Sequence, residues 1–184
     1  MNILRVSDFM TETPLPKPPP ADPKEIEVLD FEVIEEHWNE YELEDNTKLR
    51  GRVIVTRVAR PLHGPPGLYD LSFNTTFTST TSPSFRGKPS PPLGPEELLV
   101  KEEDISSGIK IPVKILSSIE PWNYYRIEKT TDTFQVKLLV SAVYRVKDRF
   151  DQFGEPAYVI TNRPVVAPTA KGYVKLDTRK KTEK

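Results

Sequence analysis

The chain contains no cysteine. Disulfides, thiolate zinc sites, iron–sulfur clusters and cysteine nucleophiles are therefore excluded. Histidine is almost as scarce: His37 and His63 are the only two, and neither has another histidine at metal-ligand spacing. No charge of one sign dominates, since 26 Lys and Arg face 27 Asp and Glu. Bulk electrostatics thus draw the chain neither to nucleic acid nor to an anionic membrane. No apolar run approaches the roughly 18 residues of a membrane span. The opening residues, MNILRVSDFM, lack the apolar stretch of a signal peptide. The expectation is a cytoplasmic chain with no membrane partner. Glycine-rich phosphate loops, HExxH, GxSxG and calcium-loop patterns are all missing. The reading is of a protein that is not an enzyme and holds no metal or cofactor. The acids Glu102, Glu103 and Asp104 read as a solvated face near a helix end.

What the chain has in quantity is proline, with 19 residues. Many charged residues, two methionines and only Gln135 and Gln152 as glutamines complete a composition that points to a thermophilic source. The prolines gather in two places. The head, TPLPKPPPADPKE (Thr13–Glu25), must be extended, because proline lacks an amide hydrogen and forces its predecessor out of the helical region. The stretch TSTTSPSFRGKPSPPLG interrupts the middle of the chain, and PEELLVKEED after it predicts one short helix opening at Pro95.

Between these segments the pattern is β. Ile26 and Val28 alternate on one phase, Phe31 and Val33 on the other, which predicts a bulge near Leu29 and Asp30. Glu44-Asp45-Asn46-Thr47 is turn chemistry between two strand patterns. Phe134, Val136, Leu138, Val140, Ala142 and Tyr144 form a period-two stripe.

One phrase occurs twice. WNEYELEDNTKLRGRVIVTRVAR starts at Trp38, and WNYYRIEKTTDTFQVKLLVSAVYR starts at Trp122, the only other tryptophan. Asn39 matches Asn123, Tyr41 matches Tyr125, Arg52 matches Lys137 and Arg60 matches Arg145, with one additional residue in the second turn. Two rare residues in register, followed by hairpin and turn in register, imply an internal duplication. Each unit is too small for a self-sufficient core, so each must cover the other's apolar face. The two tryptophans should then occupy equivalent, largely buried positions.

The expected fold is all-β: an internally duplicated, pseudo-twofold β-sandwich or barrel-like body, with a Pro-rich arm and linker and at most one short helix. Its parts are an extended arm over 1–24, a β unit over 25–77, a Ser/Thr/Pro-rich linker over 78–108, a second unit over 109–166 and a basic tail over 167–184. The functional expectation is a structural or interaction module, a subunit or accessory piece of a larger assembly, whose partner is another protein or another copy of itself. Ile3, Leu4, Val6, Phe9 and Met10 are its candidate partner-binding residues, since they lie ahead of a proline spacer in the layout of a tethered docking peptide. The alternative is a nucleic-acid-binding β-barrel protein. It would use Arg50, Arg52 and Arg60 on one strand face, and Lys137, Arg145, Lys147 and Arg149 on another, with Tyr124 as a stacking aromatic. Against it, Glu40, Glu42 and Glu44 are placed to pair with those arginines across the hairpin.

Overall fold

The computed structural model describes residues 25–130 and 132–169. Among these residues ten strands run in the order β1 (Ile26–Leu29), β2 (Phe31–Glu35), β3 (Asn39–Leu43), β4 (Lys48–Pro61), β5 (Asp70–Thr80), β6 (Lys110–Val113), β7 (Ile115–Ile119), β8 (Asn123–Ile127), β9 (Thr133–Phe150) and β10 (Pro156–Pro168). They form two five-stranded sheets in which every pairing is antiparallel, and neither sheet closes on itself.

Each sheet is organised around one long strand. β4 carries β5 along one side and both β3 and β1 on the other. β9 carries β10 along one side and both β8 and β6 on the other. The registers correspond as well. Asn39 faces Gly51 as Asn123 faces Val136, and Leu29 faces Val58 as Val113 faces Val143. Both long strands bulge at the same place, Thr56 in β4 and Ser141 in β9.

The remaining strands are exchanged. β2 leaves the sheet of β1 and pairs with β8, while β7 leaves the sheet of β6 and pairs with β3. The phase change at Leu29 and Asp30 is therefore a change of sheet rather than the expected bulge. Asp30 lies at the bend, and its carbonyl accepts the Glu128 amide at 3.1 Å. Lys114 does the same at the other bend, accepting from the Glu44 amide at 3.0 Å. Backbone groups at both bends thus keep partners that the sheets no longer supply.

The buried clusters draw on both sheets. One cluster joins Leu29, Val53, Val55 and Val58 to Tyr125, Ile127, Phe134, Val136 and Leu138. A second joins Tyr41, Leu43 and Leu49 to Val113 and Val143. The stripe along β9 does not continue in one phase as the alternation suggested. Beyond the Ser141 bulge the core position becomes Val143 instead of Ala142, because one additional residue moves the later side chains to the other face. Val146, three residues on, is buried on the opposite face of the strand.

The segment between β5 and β6 holds a 3₁₀ turn at Pro83–Phe85 and one helix, α1, at Glu102–Ser106. The helix opens later than Pro95, where only a turn forms. Its place is fixed by Lys110, a buried ammonium that donates to the Leu99 carbonyl and to Asp104 Oδ2 at 2.8 Å. That donor holds the Asp104 carboxyl below its ordinary pKa.

The matching registers contain one informative mismatch. Gly51 faces Phe77 across β4 and β5, whereas the corresponding pair across β9 and β10 is Val136 and Val166. A Cβ on Gly51 would lie 2.6 Å from the Phe77 ring. One site therefore divides its volume as nothing plus a large ring, the other as two medium side chains. Gly51→Val should destabilise by about 1–3 kcal/mol through overpacking. Adding Phe77→Val should recover part of that loss, with a coupling of about 1 kcal/mol or more in a denaturation double-mutant cycle. Additive losses would show that the two positions do not share one space.

Candidate functional site

The two tryptophans stand at equivalent places, immediately ahead of β3 and β8. Both are half-buried rather than largely buried. Their outer faces are covered by cations: Arg50 and Arg52 lie 5.1 and 5.9 Å from the Trp38 ring, and Lys137 lies 5.8 Å from the Trp122 ring. Such stacking desolvates the ring face and uses the alkyl stem of each cation as its cover.

The basic residues do not assemble into the two strand faces suggested by simple alternation. The Thr56 bulge turns Arg60 to the opposite face from Arg50 and Arg52, and the Ser141 bulge separates Lys137 from Arg145 in the same way. Most of the set is also paired with acids. Arg50 lies 3.6 Å from Glu40, Arg60 2.8 Å from Glu27, Arg145 3.7 Å from Asp45 and Arg149 3.2 Å from Glu97, while Arg52 is paired with Glu36. Arg145 also covers the Phe85 ring at 4.7 Å. Lys147 is exposed, and Tyr124 is a half-buried residue of β8. Ile3, Leu4, Val6, Phe9 and Met10 lie outside the described residues.

The polar centres that the fold does build are tyrosine–carboxylate pairs, and all of them cross from one half of the chain to the other. Tyr41 donates to Glu120 Oε1 at 3.0 Å, and Tyr125 donates to Glu36 Oε1 at 2.9 Å. Tyr158 donates to Asp45 Oδ2 at 2.9 Å, and Tyr69 donates to Asp132. Buried Asn39 supports the first, giving its amide to the Tyr41 hydroxyl and the Leu138 carbonyl, both at 2.7 Å. Buried Asn123 accepts the His37 backbone N–H at 2.6 Å. Alternation along the strands did not reveal these pairs. A signal was nonetheless present, because Glu36 and Glu120 each stand two residues ahead of a repeated tryptophan.

The segment after β5 is strapped across the β9–β10 turn. Glu155, a buried carboxylate, takes the Thr81 amide at 2.7 Å and pairs with Arg86 at 2.7 Å. Ser90 and the Phe150 backbone exchange two bonds of 2.9 Å. Gly87 is required under this strap, since a Cβ there would lie 2.3 Å from the Phe150 ring. Beside the strap is an open cleft of about 1020 Å³, whose walls include Leu93, Phe150, Phe153 and Tyr158. Its charged residues are already engaged: Arg86 with Glu155, and Asp151 Oδ1 with the Phe153 and Glu155 amides.

Among the described residues no group of three or more His, Asp or Glu is placed to hold a metal ion, and no helix is long and apolar enough to cross a membrane. His37 instead lies 2.8 Å from Glu35. Comparison with protein-family models, curated proteins and solved structures finds no match for the chain.

The tyrosine pairs give the protein a defined alkaline limit. Burial, more than any neighbour, raises the Tyr41, Tyr125 and Tyr158 hydroxyls above the ordinary phenol range, and Glu120, Glu36 and Asp45 push in the same direction. A folded pKa above the unfolded value of about 10 means that the unfolded chain loses these protons first. The stabilisation is complete below pH ~10 and falls as pH rises further, by up to about 1.4 kcal/mol per pH unit for each tyrosine. In urea titrations between pH 9 and 11, Tyr41→Phe/Tyr125→Phe should show a shallower decline than the parent chain. Parallel declines would mean that these hydroxyls do not set the limit.

Proposed function

We propose that this chain is a structural and interaction module, a pseudo-twofold duplicated β-sandwich that works as a subunit or accessory piece of a larger assembly. The duplication is supported by the matching registers, bends and bulges of the two halves, and the sandwich form by a core drawn from both sheets. The functional reading rests chiefly on how the polar groups are used. Side chains suited to acid–base chemistry, Glu36, Glu120, Asp45 and Glu155, are spent on holding strands and strap together. What the surface offers around the strap is apolar: Phe153 is 73% exposed, and Leu98 and Leu99 are each 53% exposed. Exposed apolar side chains of this size are favourable when a partner covers them.

The nucleic-acid alternative is disfavoured by the same accounting. A phosphate-binding face needs cations free to release counterions, and five of the seven basic candidates already face carboxylates.

In this reading the segment before β1 is the docking peptide. Deleting Met1–Pro23 should leave the melting transition unchanged and abolish co-purification of the partner from the native source. A lower melting temperature with partner capture intact would instead make that segment part of the body.

A further inference from the structure

The two halves differ in how they treat their long outer strands. β10 and β5 hold corresponding positions, each paired along one side with the long strand of its sheet, and among the described residues β4 is the one strand that pairs with β5. β10 carries Pro164 opposite Leu138 and Pro168 opposite Phe134. Proline is accepted within a sheet only where its nitrogen faces an open edge. Those prolines, together with Arg163, make the outer edge of β10 a poor template for another strand. In β5 the corresponding position is Thr75, opposite Val53. Its N–H therefore faces away from β4, as do those of Phe73 and Phe77, which lie in the same phase.

Beyond Asp70 at its start, this edge has none of the usual guards among the described residues. From Leu71 to Phe85 the sequence LSFNTTFTSTTSPSF holds no charged residue, and no proline falls within β5. Thr, Ser and Phe supply high strand propensity. The centre, Phe73-Asn74-Thr75-Thr76-Phe77, reads alike in both directions around Thr75, with a phenylalanine at each end and polar residues between.

We infer that the open edge of β5 pairs antiparallel with β5 of a second copy of this chain, about a twofold axis through Thr75. Phe73 of each copy then stands opposite Phe77 of the other, and Thr75 opposite Thr75. A twofold contact must be self-complementary, and an uncharged, near-palindromic strand satisfies that without like-charge repulsion. The two sheets built on β4 become one continuous sheet across the dimer. Phe77, which contacts both core clusters, gains an aromatic neighbour on its exposed side.

The proposal deepens the interaction reading above, and its test separates the two. Sedimentation velocity of the full chain over a wide concentration range should show a reversible dimer. Thr75→Pro copies the residue that β10 carries at the same place, so it should retain the parent far-UV spectrum and weaken dimerisation by about tenfold or more. Thr75→Lys, which sets two ammonium groups across the axis, should do the same at an exposed position. Because the chain has no cysteine, Thr75→Cys provides a direct report. Directly opposed residues of a hydrogen-bonded antiparallel pair lie about 5.5 Å apart at Cα, within disulfide reach. Oxidation should link Thr75→Cys into dimers and leave Ser72→Cys monomeric. A parent chain that stays monomeric throughout, a folded Thr75→Pro and Thr75→Lys that dimerise like the parent, or equal crosslinking at both cysteines would each overturn the inference. Capture of a different protein through the segment before β1 should survive in Thr75→Pro, so losing the dimer and losing the partner are distinct results.

Discussion

The exchange of β2 and β7 is the constraint from which the rest of the structure follows. Each half of the chain sends one strand into the other half's sheet, through a bend at Asp30 or Lys114 whose carbonyl is satisfied by the opposite half. Neither half can complete its own sheet. Backbone hydrogen bonding is close to obligatory in a folded interior, so folding of the two halves is tied together before any side chain is considered.

The tyrosine–carboxylate pairs extend that interdependence to the side chains. Glu36 and Glu120 precede β3 and β8, and each reaches a tyrosine in the half to which it does not belong. Asp45 and Asp132, in the two hairpin turns, receive Tyr158 and Tyr69 in the same reciprocal manner. A neutral phenol donating to a carboxylate suits a partly buried site, since it satisfies the charge without bringing in a second one. Arg52 and Arg145 also approach two of these carboxylates, Glu36 and Asp45, and Lys110 is itself buried against Asp104. Among the described residues these carboxylates and cations are thus engaged with one another or with tyrosines.

The halves are alike in backbone and unlike in detail. Gly51 with Phe77 replaces Val136 with Val166 at the sheet centre. Lys110 stands where Ile26 stands in the first half, and it anchors the segment leading to α1. Prolines punctuate the outer edge of β10, while β5 contains none and pairs, among the described residues, with β4 alone.

Much of this was legible in the residues. Alternation around Trp38 and Trp122, turn chemistry at Glu44–Thr47 and proline punctuation were enough to place the hairpins, the interruption and the all-β class, because they act over a few neighbouring residues. The phase change at Leu29 and Asp30 was visible too, but its meaning was not. A bulge and a change of sheet produce the same local pattern, and only the partner strand distinguishes them. The bulges at Thr56 and Ser141 left no sequence mark, so Arg60 and Arg145 were assigned to faces they do not occupy. The sequence by itself determined the strands, the turns and the likeness of the halves. Tertiary structure alone decided which half each strand joins and which carboxylate each tyrosine meets. Those depend on contacts between residues far apart in the chain, to which local periodicity is blind.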